Sequence, residues 1–130
     1  MIIVLFGAIL PFILWPIEYF LPFPYLIEEA AKGVFAYLII RMVERPLQWR
    51  IAALFGLLFA LSESVFYIFN ILLVGTSITY FERLALTIPL HAGTMVLILL
   101  FGQKKREFIP IGVLIAVIIH YYFNLFVGKL

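Results

Sequence analysis

The chain contains no cysteine and no aspartate, and charged residues make up only 12% of its 130 positions. Without cysteine there is no disulfide, thiolate nucleophile, cysteine-bound zinc or iron–sulfur cluster. Without aspartate no mechanism rests on an aspartate pair. The scarcity of charge excludes still more. Ordinary soluble domains are about 25% charged and about 45–50% apolar, whereas here the hydrophobic share is 66% and the mean hydropathy +1.20. Nine basic and seven acidic side chains cannot cover the surface of so short a folded chain in water, so its solvent is a bilayer. A spanning helix takes about 20 residues, which predicts one membrane domain and no separate soluble module. The basic residues behind the net charge of +2 stand mostly near short loops and form no patch interleaved with aromatics, so a nucleic-acid partner is not expected.

Apolar runs separated by charges or turn residues predict five spans, at 2–21, 26–44, 50–74, 82–102 and 109–128. The intervening loops, Pro22–Tyr25, Arg45–Trp49, Gly75–Phe81 and Gln103–Phe108, are short. Sequential antiparallel packing follows, and the expected fold class is all-α, a polytopic membrane helix bundle. The first run has no Lys or Arg ahead of it and no small-residue cleavage pattern after it, so it reads as a helix and not as a signal peptide. Pro11 and Pro16 predict a kink or break in it, or a partly re-entrant path, and Pro22 with Pro24 end it. Arg41, Arg45 and Arg50 flank the second loop, while Lys104, Lys105 and Arg106 fill the fourth. Positive charge is held on the cytoplasmic side, so the N-terminus is expected in the cytoplasm and the C-terminus outside.

Polar residues stand where lipid is expected. Glu63 is the one charge of the third apolar run and lies near its middle, where a charged side chain costs at least about 2.5–3.5 kcal/mol. It must be protonated, paired or turned toward a wet cavity. Tyr67 and Asn70 follow at i+4 and i+7 on the same stripe. In the fourth span Arg83, Thr87, His91 and Thr94 recur at helical spacing, with His91 about 13 Å below the outer end. His120 and Asn124 share a face of the fifth span at a matching depth. Glu28, Glu29 and Lys32 open the second, where Glu28 and Lys32 can pair across one turn. Four helices thus offer polar groups to one outer-half cavity. Singly, each group has a plain structural reading: an interfacial ion pair, a packing histidine, an asparagine joining two helices. Together, ionisable groups from several helices at one depth read as a functional site. The aromatic residues, 18% of the chain, read as packing and interface belts.

A desolvated carboxylate beside an imidazole can activate water near neutral pH, and His120 with Asn124 can offer donors to a developing oxyanion. Amide hydrolysis is feasible on this set. The same groups also suit zinc, with Glu63, His91 and His120 as possible ligands and water in the open position. There is no H-E-x-x-H helix and no G-x-S-G around Ser62, Ser64 or Ser77, so only glutamate and histidine remain for the chemistry.

The runs Glu28-Glu29-Ala30-Ala31-Lys32 and Phe59-Ala60-Leu61-Ser62-Glu63, the mid-helix His91 and the run His120-Tyr121-Tyr122-Phe123-Asn124 together resemble the PrsW-type intramembrane proteases. Those belong to the superfamily of C-a-a-X prenyl endopeptidases and bacteriocin-processing membrane enzymes. The resemblance spans residues 28–124. It implies a four-helix catalytic core within residues 26–130, with residues 1–25 as an accessory first helix and loop. It also implies a prokaryotic cell membrane and a single-span membrane protein or membrane-associated peptide as substrate, cut near the outer surface. By analogy with the prenyl endopeptidases, Glu28 would activate water, Glu29 and Lys32 would orient it, and His120 with Asn124 would form the oxyanion hole. That branch has histidine at the position of Glu63, so His91 would replace it as partner of Glu28, or His91, His120 and Glu63 would hold a divalent ion. The resemblance therefore implies either no cofactor or zinc. A non-catalytic scaffold of the same superfamily, which is implied to include the scaffold subunit of γ-secretase, and a small proton-coupled transporter are the alternatives.

Overall fold

The computed structural model describes the backbone of residues 2–74 and 77–127 and the side chains of residues 2–68 and 80–127. Five α-helices follow one another: α1 (Ile2–Phe20), α2 (Pro24–Met42), α3 (Arg45–Val74), α4 (Ser77–Lys104) and α5 (Ile109–Val127), with a 3₁₀ turn at Arg106–Phe108 leading into the last. No strand occurs among the described residues, so the fold is the expected all-α bundle. Four segments are long and apolar enough to cross a membrane: Ile2–Phe20, Arg45–Ile68, Tyr80–Lys104 and Arg106–Val127. The chain is a multi-pass membrane protein. Helix α2 matches α1 in length, at 19 residues, but carries Glu28, Glu29, Lys32 and Arg41, and it turns the first three inward.

The boundaries differ from the sequence expectation in instructive places. Helix α1 runs without interruption through Pro11 and Pro16, so neither breaks it. In a membrane bundle a neighbouring helix can compensate for the lost hydrogen bonds, and Pro11 is buried with Gly7, Leu10 and Leu14. Pro24 does not end a helix but starts one, at the first turn of α2, where its missing N–H is an orphan in any case. Residues Arg45–Trp49, expected as a loop, form the first turn of α3 because Pro46 again sits where proline is tolerated. The Gln48 amide supplies the missing caps at this end, donating to the Val43 carbonyl at 2.8 Å and the Ile40 carbonyl at 3.3 Å. It also accepts from Gln103 Nε2 at 2.9 Å, which ties the end of α4 to the α2–α3 corner. Of the expected third loop Gly75–Phe81, residues Ser77–Phe81 are not a loop but open α4, while Gly75 and Thr76 lie outside the described residues, as do Lys129 and the side chain of Asn70, on which the expectations about the C-terminal charge and the Asn70 stripe fall.

Helices α3 and α4 form the central pair; α1 lies along α3, and α2 and α5 pack against α4 and each other. Glycine permits the closest approaches. A Cβ at Gly56 would overlap the His91 carbonyl and crowd the Ala92 Cα at 2.6 Å, and one at Gly7 would overlap the Phe55 carbonyl. Small residues let membrane helices approach backbone to backbone, where dispersion replaces the hydrophobic effect as the attraction. The apolar core between the helices includes Ile39, Phe55, Phe59, Met95 and Ile98. Burial is otherwise inverted relative to a water-soluble bundle. Glu29, Lys32 and His91 are fully buried, whereas Tyr19, Phe20, Tyr122 and Phe126 are exposed. The bundle is polar within and apolar without, as a lipid solvent demands.

Candidate functional site

The buried polar groups converge on Lys32. Its ammonium lies 2.7 Å from Glu29 Oε1, 2.9 Å from His91 Nδ1 and 3.0 Å from Thr94 Oγ1, so three protons meet three acceptors. The Phe59 ring stands 5.0 Å away, closing the pocket around the charge. Lysine therefore pairs with Glu29 at i+3 and not with Glu28 at i+4, as the one-turn reading had it. The reason is tertiary. Glu29 and Lys32 face into the interface of α2 with α4, where Thr94 and His91 wait, while Glu28 faces a cavity.

Glu29 Oε1 also takes His120 Nδ1 at 2.9 Å. A carboxylate cannot donate, so this contact fixes a proton on Nδ1 and leaves Nε2 as the open position of the ring. The opposite assignment holds for His91. An ammonium cannot accept, so Nδ1 of His91 is the acceptor and the neutral ring carries its proton on Nε2. That nitrogen lies 2.6 Å from Glu63 Oε2 on α3, a close contact that lacks a hydrogen bond's alignment. The imidazoles themselves meet edge to face at 5.1 Å, and His91 stacks on Phe59 at 4.9 Å.

Glu28 is the least satisfied member. Its Oε2 is 3.8 Å from His120 Nδ1, too far for a hydrogen bond, and has no hydrogen-bond partner. Glu63 Oε2, Glu29 Oε2 and His91 Nε2 share that condition. Unpartnered buried polar atoms are rare, and several in one place set this region apart from the rest of the bundle. Of these, Glu28 and Glu63 border a cavity of about 490 Å³ whose wall also includes Tyr67, His120 and Asn124. The remaining wall is Trp15, Glu18 and Tyr19 of α1, together with Pro24 and Phe66.

All seven site residues expected from sequence thus lie in one region. Glu28, Glu29, Lys32, Glu63, His91 and His120 make direct contacts or near contacts with one another, and Asn124 stands one turn along α5 from His120, on the cavity wall. Arg83 and Thr87 do not join them. The Arg83 guanidinium lies 3.6 Å over the Tyr67 ring, and Thr87 bonds back to the Arg83 carbonyl at 2.8 Å. Sequence reasoning passed over Glu18 and left α1 as an accessory. A carboxylate inside an otherwise apolar span was the available signal. The aromatics likewise are more than packing, since Trp15, Phe66 and Tyr67 form the cavity wall.

The donor atoms of Glu28, His91 and His120 lie within 4.8 Å of one another, close enough to gather around a divalent ion. His91 is the poor fit. While Lys32 holds its Nδ1, the lone pair that would face a metal is occupied by the Nε2 proton. Comparison with protein-family models, with curated proteins and with solved structures finds no match to this chain.

Proposed function

We propose that the protein is an intramembrane endopeptidase in which glutamate activates water to cut a peptide bond of a membrane-protein substrate. The observation that carries this reading is the unpartnered Glu28 carboxylate on the wall of a cavity that it shares with Glu63, His120 and Asn124. A general base needs a free lone pair beside a space that holds water and substrate, and Glu28 has both.

In the proposed reaction Glu28 takes a proton from water as the oxygen attacks the scissile carbonyl carbon. The carbonyl oxygen becomes an oxyanion, which the Asn124 amide and the open Nε2 of a doubly protonated His120 stabilise by donation. Glu29 supports that form of His120 by accepting its Nδ1 proton. The C–N bond then breaks as protonated Glu28 returns its proton to the leaving amine. Glu63 is held beside His91 and lies on the same wall, positioned to share the water with Glu28. Lys32 neutralises Glu29 and fixes the His91 tautomer, so it is a positioning residue.

The proton on His91 Nε2 favours a metal-free reaction over a zinc-dependent one. Each described helix is continuous, whereas a carrier of the broken-helix kind needs interrupted ones around its site. The unpartnered carboxylate oxygens of Glu28 and Glu63 are of no use to a scaffold, which is served better by a saturated core. The expected topology, with the N-terminus cytoplasmic, opens the cavity toward the extracytoplasmic half of the membrane.

The test is cleavage of a single-span reporter by the protein in liposomes, with Glu28→Gln, Glu63→Gln, His91→Gln and His120→Gln compared individually. Cleavage that falls for these variants and survives a chelator is the expected result. Unchanged cleavage in all four overturns the assignment, and loss of cleavage with chelator alone replaces it with the zinc version.

A further inference from the structure

The cavity beside Glu28 has a charge imbalance that hydrolysis does not explain. Glu18, Glu28 and Glu63 reach its wall from α1, α2 and α3. The lysine of the cluster has spent its protons on Glu29, His91 and Thr94. Among the described residues, no lysine or arginine pairs with Glu18, Glu28 or Glu63. The Glu28 side chain is only 9% exposed and its Oε2 is unpartnered, as is Glu18 Oε1. The doubly protonated His120 of the proposed reaction offsets one carboxylate and is shared with Glu29, so the acids still outnumber their counter-charges and a complementary charge entering with a ligand is stabilised by them.

The walls say what kind of cation fits. Trp15 stacks on Phe66 at 5.8 Å with the rings 6° from parallel, and Tyr67 stands beside them. Aromatic faces next to carboxylates recognise organic cations by cation–π attraction. The far wall already demonstrates the affinity, because the Arg83 guanidinium sits 3.6 Å over Tyr67. A volume of about 490 Å³ exceeds what a bare ion needs and falls in the range of organic ligand pockets, about 300–1,000 Å³. We propose that this cavity receives a lysine or arginine side chain of the substrate next to the scissile peptide, with Glu18 as its carboxylate partner and Trp15 as its aromatic face. The substrate class rests on the protease reading; the cation pocket does not. Glu18 takes no part in water activation and acts as a specificity-determining residue.

Two measurements separate the two claims. In a Trp49→Phe background Trp15 is the sole tryptophan, since the chain has two, and its fluorescence reports on the cavity. Butylguanidinium is expected to quench it saturably in detergent, while the neutral isostere butylurea does not. Glu18→Gln should weaken butylguanidinium about tenfold, the size of one charge-assisted hydrogen bond, and Glu18→Asp should retain most of the binding. In liposomes, a reporter with lysine beside the scissile bond should be cut about tenfold more efficiently than one with glutamine, a ratio that Glu18→Gln brings toward one. Equal responses to butylguanidinium and butylurea, or quenching by zinc chloride alone that blocks butylguanidinium, overturn the cation pocket. Binding without cleavage of either reporter retains the pocket and removes the protease. Cleavage with no preference for lysine does the reverse.

Discussion

Two polar networks lie inside this bundle, and they are built on opposite rules. At the α2–α3 corner Gln48 and Gln103 close on each other and on two helix-end carbonyls, using neutral amides whose donors and acceptors find partners. Around Lys32 the groups are charged, and the lysine itself is saturated while the carboxylates around it are not. On the cavity wall Glu28 and Glu63 leave atoms unpartnered. A saturated network holds helices together, while one that is satisfied behind and open in front holds reactive groups at a surface a ligand can reach. That contrast separates structural from functional polarity where composition alone cannot.

The contrast can be broken by substitutions whose effects should fall in a definite order. Glu28→Gln is expected to lower kcat/KM for the reporter by about 10²–10⁴, the range of a general base, with helix content by circular dichroism unchanged. Lys32→Met strips Glu29 of its counter-charge inside the bundle and should destabilise it by about 3–5 kcal/mol. A lowered midpoint of thermal unfolding in detergent checks this, and adding Glu29→Gln should recover part of the loss. Gly56→Leu forces a side chain into the α3–α4 crossing, with an expected cost of about 1–3 kcal/mol. Reporter cleavage should fall as well, because the crossing carries the His91 backbone. Gln48→Ala should cost only about 1 kcal/mol in the same unfolding measurement and leave cleavage unaltered. If Gln48→Ala silences cleavage as fully as Glu28→Gln, the division between the two networks is wrong.

Much of the site was legible because a membrane makes ionisable residues conspicuous. Glu63, His91 and His120 stand out from apolar neighbours, and helical rise alone set the latter two at matching depth. Glu18 is equally conspicuous in principle, but it stands among prolines, Pro11 and Pro16 before it and Pro22 and Pro24 after it, which read as the end of a span. The Lys32 partner was not legible. Positions i+3 and i+4 are both within reach on an isolated helix, and only the position of Thr94 and His91 on α4 decides between Glu29 and Glu28. Helix limits failed for a related reason, since proline reads as an end until a first turn or a neighbouring helix accommodates it, as at Pro24, Pro46 and Pro11.

Composition and period by themselves determined the solvent, the helices and which residues must hide from lipid, because each follows from the local cost of exposing a charge or a peptide group to hydrocarbon. Tertiary structure decided which hidden group meets which, where each imidazole carries its proton and which carboxylates are left facing open space. Those depend on directions across helix interfaces a few ångströms wide, set by backbone approaches such as the one at Gly56, and no spacing along one strand of sequence contains them.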